Sequence, residues 1–137
     1  MTIEATATWV GDRRFVGQAS SGHAIVVDAS AEKLGPSPME LVLIGLVGCT
    51  AYDVTNILLK KRQEVDGVEV HARAERAPEP PRVYTEIDLE YVVTGRNLST
   101  KAIEAAIRLS KEKYCSASLM LEKTASISTT YRVQPVE

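Results

Sequence analysis

Two thiols dominate the chemistry open to this chain: Cys49, at the end of the apolar run in SPMELVLIGLVGCTAYD (Ser37 to Asp53), and Cys115, in KYCSASLM (Lys113 to Met120). A cysteine can serve as a small buried hydrophobe or, as the thiolate, as a nucleophile, and both readings are open for Cys49. In the middle of a helix it lies beyond the reach of the helix dipole, so its activation would require a neighbouring cation. Cys115 either stands at a helix start whose backbone N–H groups favour a thiolate, or is an ordinary residue of that turn. The two are far apart in the chain and poor candidates for a permanent disulfide in a compartment that keeps thiols reduced. Any pairing would be transient.

The other candidates are weaker by residue type. Asp53 falls four residues after Cys49, on the same helical face, where its charge opposes thiolate formation unless a cation pairs with it. Glu40 has a structural explanation, because Ser37-Pro38-Met39-Glu40 matches a capping box with proline at the first helical position. Arg13 and Arg14 suit a solvated turn. His23 and His71 lie far apart and neither a C-x-x-C nor an H-x-x-x-H spacing occurs, so no metal site and no cofactor is expected.

Several elements must position these residues. Ile3, Ala5, Ala7 and Trp9 alternate with Thr2, Glu4, Thr6 and Thr8, which predicts a half-buried strand. Gly11-Asp12 turns it, and Phe15-Val16-Gly17 and Ala24-Ile25-Val26-Val27 follow as strands on either side of the turn Ser20-Ser21-Gly22-His23. The capping box then opens a helix running to about Lys61-Arg62, a rod of roughly 36 Å at 1.5 Å per residue. A compact chain of this length is about 37 Å across, so the helix crosses the protomer. Val65-Asp66-Gly67 predicts a turn. The alternating stretches Val68 to Glu75 and Val83 to Val93, joined by the stiff Ala77-Pro78-Glu79-Pro80-Pro81, predict a long hairpin. Ser99 caps a short helix with Ile103, Ala106, Ile107 and Ser110 on one side, and a last strand runs from about Ala125 to Val133.

At 137 residues the chain suits one domain, 1–137. Its 45% apolar and 25% charged residues are an ordinary globular balance, which excludes disordered, collagen-like and coiled-coil readings. Sixteen basic against eighteen acidic residues give a net charge of −2, with no electrostatic pull toward nucleic acid or anionic lipid. The N-terminus MTIEATATWV lacks a basic region and carries Glu4, and the uninterrupted apolar run Leu41 to Cys49 is about half a membrane span. A cytoplasmic protein with neither a nucleic-acid nor a membrane partner is expected.

The order of these features resembles the OsmC/Ohr family of thiol peroxidases along the whole chain. A meander is followed by Gly35-Pro36-Ser37-Pro38-Met39-Glu40-Leu41, a long helix with Gly48-Cys49-Thr50, a hairpin, a second helix, and Lys113-Tyr114-Cys115-Ser116 before a closing strand. The resemblance implies an α+β, OsmC-like fold: an antiparallel sheet packed on a long central helix in an intertwined homodimer. In that family the first cysteine attacks a hydroperoxide and the second resolves the sulfenic acid, roles that fall here on Cys49 and Cys115. An arginine from the early strands and a glutamate at the helix start assist, matching Arg14 and Glu40. The family's organic-hydroperoxide branch places its glutamate ten residues before the cysteine, where this chain has Met39. Glu40 is nine before, about 100° further round a helix, so the chain looks like an OsmC-like side branch.

The implied activity is a peroxidase that reduces organic hydroperoxides, with hydrogen peroxide as an alternative substrate and an external thiol or dithiol as reductant. The apolar helix becomes an argument for the homodimer, since Met39, Leu41, Val42, Leu43, Ile44, Leu46, Val47, Ala51, Tyr52 and Val54 occur at nearly every helical angle. Two rivals remain: a non-catalytic OsmC-like binding protein with structural thiols, and a redox sensor that reacts about once per reduction.

Overall fold

A computed structural model describes residues 1–136 and groups the chain into two compact units, Met1–Ile44 and the remainder from Gly45. The first unit holds an antiparallel meander of β1 (Ala5–Gly11), β2 (Arg14–Ala19) and β3 (Ala24–Asp28), in the order β1-β2-β3. Gly11 at φ 111° and Asp12 at φ 48° make the first turn, a left-handed conformation that glycine adopts without steric cost. The strand expected to be half-buried is exposed along nearly its whole length, Trp9 and Val10 included. Three short strands with no helix of their own bury little apolar surface.

Helix α1 (Pro38–Lys60) opens on the reciprocal capping box. The Ser37 N–H donates to Glu40 Oε1 at 2.9 Å, and the Glu40 N–H donates to Ser37 Oγ at 3.2 Å. In the second unit it buries Leu46, Thr50, Val54 and Leu58, one residue per turn on a single stripe. Full burial of each of the three aliphatic members is worth about 1.5–3 kcal/mol. Among the described residues α1 is also the one helix long and apolar enough, by length and composition, to cross a membrane.

The helix closes at Arg62, whose φ is 58°. The Arg62 and Gln63 N–H groups donate back to Leu59 O and Leu58 O. The turn expected at Val65-Asp66-Gly67 is therefore displaced toward the helix end, and those three residues lie inside β4 (Glu64–Arg76) as an irregularity in register. β4 pairs antiparallel with β5 (Tyr84–Arg96), giving the long hairpin. On β5, Ile87, Leu89, Tyr91 and Val93 are buried, which is the face assigned by their period of two.

The Ser99 Oγ accepts from the Ala102 N–H and caps α2 (Thr100–Leu109). One π-helical turn follows, Ser110–Tyr114, then α3 (Ser116–Leu121) and β6 (Ser126–Pro135). β6 pairs parallel to β5, with Glu86 opposite Ser126. The α+β class is as expected, but the strands form two sheets, and the second is mixed rather than antiparallel. The reason is the helical segment between β5 and β6, long enough to return the chain to the start of β5 before it pairs.

Candidate active site

Cys49 and Cys115 come together. In the second unit, one ligand-type atom each from Cys49 (Sγ), Asp53 (a carboxylate oxygen) and Cys115 (Sγ) lies within 4.8 Å of the others. Cys49 and Asp53 reach this point from successive turns of α1. Cys115 arrives through the π turn, where its N–H donates to Ser110 O at 2.8 Å. Single π turns often mark functional sites because the extra residue re-aims the side chains around it.

The thiols differ in environment. Cys49 is partly exposed and Cys115 is fully buried. Burial pushes the Cys115 thiol up, the Ser118 hydrogen bonds oppose this, and Cys49 adds to the rise. The Ser118 N–H donates to Cys115 Sγ at 3.4 Å, the single helix-start donor that the sequence position anticipates.

Behind the thiols runs a chain of hydroxyls. Thr50 Oγ1 is 2.7 Å from Tyr91 Oη and 2.8 Å from Ser110 Oγ, and Ser110 Oγ donates to Asp53 Oδ2 at 3.1 Å. Each hydroxyl has one proton and the carboxylate accepts only, which sets every direction. Ser110 donates to Asp53, so Thr50 donates to Ser110, so Tyr91 donates to Thr50. Burial is the main cause that pushes the Tyr91 pKa up, the Thr50 hydrogen bond opposes it, and charge on Cys115 and Asp53 adds to the rise. Thr50 and Tyr91 are each 1% exposed and Ser110 is fully buried, so the chain polarises in a low dielectric toward Asp53.

Thr50→Val keeps the shape of the side chain and removes both of its links. Tyr91 then keeps a buried hydroxyl without its acceptor, and an apparent stability loss of about 1–3 kcal/mol is expected in urea melts at fixed protein concentration. Tyr91→Phe leaves the Thr50 to Ser110 bond intact and should cost less, about 0.5–1.5 kcal/mol. Equal stability of Thr50→Val and the wild type would show that the chain has no energetic weight.

Arg14 and Glu40 belong to the first unit. Arg14 Nε donates to Asp28 Oδ2 at 3.1 Å, and Nη2 stands 2.6 Å from Glu32 Oε1, close as an ion pair although not aligned as a hydrogen bond. Glu32 first and Asp28 second push the Arg14 pKa up. Asp28 is 2% exposed and also accepts from the Ser30 and Leu34 N–H groups at 2.7 and 2.8 Å. Glu40 is held below its usual range by the Ser37 N–H and hydroxyl.

Asp28, which no sequence motif marks, organises the loop from β3 to α1. Hydrogen bonds from Ser30, side chain first, then the Ser30 and Leu34 N–H groups and Arg14, hold its carboxyl well below the usual carboxylate range against the opposing effect of burial. A depressed carboxylate contributes stability that is present above the unfolded value, about 3.9, and is lost as pH falls through the folded one. Asp28→Asn should abolish this acid-sensitive contribution and destabilise the first unit at neutral pH. The fluorescence of Trp9, the single tryptophan, followed in both proteins from neutral pH down to about pH 2, below the unfolded carboxylate value, checks it.

The fold and the paired thiols define an OsmC-like protein, and comparison with known proteins agrees. Residues 30–130 match the OsmC-like protein family, and the chain belongs to that family. Protein YhfA of Escherichia coli strain K12 is 46% identical over 131 residues, covering 96% of this chain and 98% of that one. The crystal structure of a hypothetical protein from Aquifex aeolicus VF5 is 31% identical with a TM-score of 0.90, covering 100% of this chain and 99% of that one. An organic hydroperoxide resistance protein OsmC from Legionella pneumophila shares the fold, with a TM-score of 0.72 at 17% identity, covering 97% of this chain and 98% of that one.

Proposed function

We propose that this OsmC-like protein is a thiol-dependent peroxidase that reduces organic hydroperoxides. The observation that carries this reading is the approach of Cys49 and Cys115, remote in sequence, to within 4.8 Å of each other. Cys49 is the partly exposed thiol and attacks. Its thiolate breaks the O–O bond of ROOH and takes one oxygen, and with a proton the products are Cys49 sulfenic acid and ROH. Burial disfavours the Cys115 thiolate and shields it from peroxide, so Cys115 takes the second step. It condenses with the sulfenic acid to give a disulfide and water, and an external dithiol returns both thiols by exchange. The relatives described as organic hydroperoxide resistance proteins support this choice of substrate class.

The roles of arginine and glutamate that the family resemblance implies fall to Arg14 and Glu40. Arg14→Ala compared with Arg13→Ala separates a specific loss of turnover from a general effect of charge. The protein acts as a homodimer, because α1 and the first sheet leave large apolar side chains uncovered in a single chain.

Cumene, tert-butyl and hydrogen peroxide are compared with a dithiol reductant in excess. Repeated turnover with the organic peroxides fastest is expected. Consumption limited to one equivalent per chain would support a redox sensor instead, and no consumption at all would support a non-catalytic binding protein.

A further inference from the structure

We propose that Cys49, Cys115 and Asp53 also form a binding site for a thiophilic divalent cation such as zinc. Short metal-binding motifs are absent from the sequence, but the fold assembles the ligands from two separate elements. Cys49 and Asp53 have the i, i+4 spacing that puts both ligands of an H-x-x-x-H motif on one helical face, and Cys115 closes the third corner. The three donor atoms lie within 4.8 Å of one another. Ligand atoms around one tetrahedral zinc, with bonds of about 2.0–2.3 Å, stand roughly 3.5–3.8 Å apart, so the required contraction is within reach of side-chain adjustment.

The surroundings have what such a site needs. Asp53 accepts from Ser110 at 3.1 Å, and a carboxylate with two oxygens retains capacity for a metal while a hydrogen bond orients it. Asp53 also lines a cavity of about 330 Å³ together with Tyr52, Asn56, Lys60 and Tyr114, and three protein ligands leave a fourth tetrahedral position for water. Lys60 opposes a cation, but two thiolates and a carboxylate outnumber it. Burial disfavours the Cys115 thiolate in the free protein, and a coordinated thiol is deprotonated outright. Binding therefore displaces whatever protons the two thiols hold. The ion occupies both sulfurs, so binding and peroxide attack exclude one another, and the disulfide form cannot hold it.

The test titrates Cd²⁺ into reduced full-length protein under anaerobic conditions and reads the ultraviolet sulfur-to-cadmium charge-transfer band. One cadmium per chain is expected, with the site lost in Cys49→Ser, in Cys115→Ser and in the oxidised wild type. Asp53→Asn should bind about 10-fold or more weakly. X-ray absorption of the zinc-loaded wild type should count two sulfurs per ion, which keeps the test decisive even where a variant fails to fold. No band in the reduced protein, an unchanged band in either cysteine variant, or unchanged affinity in a folded Asp53→Asn protein would overturn the site. No peroxide enters the titration, so its failure leaves the peroxidase reading standing, and a failed peroxide assay leaves the ion site standing.

Discussion

Cys49→Ser is expected to lose peroxide turnover by about 10³-fold or more, because a serine hydroxyl at neutral pH is neither ionised nor soft enough to attack the O–O bond. Cys115→Ser should behave differently. It still reacts with one equivalent of peroxide at a rate close to wild type, then stops with a Cys49 sulfenic acid that a dimedone-type reagent traps, since attack and resolution are separate steps. Mass spectrometry after a single addition of cumene hydroperoxide reads both outcomes. A sulfenic acid trapped on Cys115 in the Cys49→Ser protein after one equivalent of peroxide would reverse the assignment of the two thiols. Full activity in both variants would sink the peroxidase reading. The differing exposure of the thiols makes the first result the expected one: Cys49 is partly open, whereas Cys115 is 0% exposed.

The second large effect concerns assembly. Ile44 is 55% and Tyr52 70% exposed on α1, and Val42 and Leu59 are exposed with them. In the first unit Trp9, Val10, Phe15, Ile25 and Val26 are exposed. Apolar exposure on this scale in a small chain marks an interaction surface, and the proposed occupant is a second copy. If each chain stood alone, Ile44→Asp on an exposed helical position would shift stability by only about 0.5 kcal/mol. If a second copy covers α1, the same substitution buries an unpaired charge and costs several kcal/mol, and the protein fails to assemble. Sedimentation over a dilution series, with circular dichroism on the same samples, should find a dimer that loses its helical signal as it dissociates. A compact monomer with full helicity and full peroxide turnover would be incompatible with the shared core.

The elements around the site were legible wherever a local rule governs them. The capping box at Ser37 and Glu40, the Ser99 cap and the alternation along β5 each involve partners a few residues apart, and each is found as read. Val65-Asp66-Gly67 has turn composition, but the left-handed Arg62 and the carbonyls at the helix end reverse the chain before it is reached. The pairing direction of β6 was hidden for a different reason. Periodicity assigns a strand its faces but says nothing of its neighbour.

The site divides in the same way. Residue type alone singles out Cys49 and Cys115, because they are the two thiols of the chain and the thiolate is the side chain that attacks a peroxide oxygen. Their meeting was a matter of tertiary structure, as were the place of Asp53 beside both sulfurs and the hydroxyl chain from Tyr91 to Thr50, 41 residues away in sequence. Asp53 shows the limit most clearly. Judged along one helix, it is a charge that hinders a thiolate; within the fold it is a hydrogen-bonded carboxylate within 4.8 Å of both sulfurs. Sequence determines which groups exist and which helical or strand face they take, since those follow from backbone periodicity. Only packing decides which faces meet, because that free energy is shared among residues far apart in the chain.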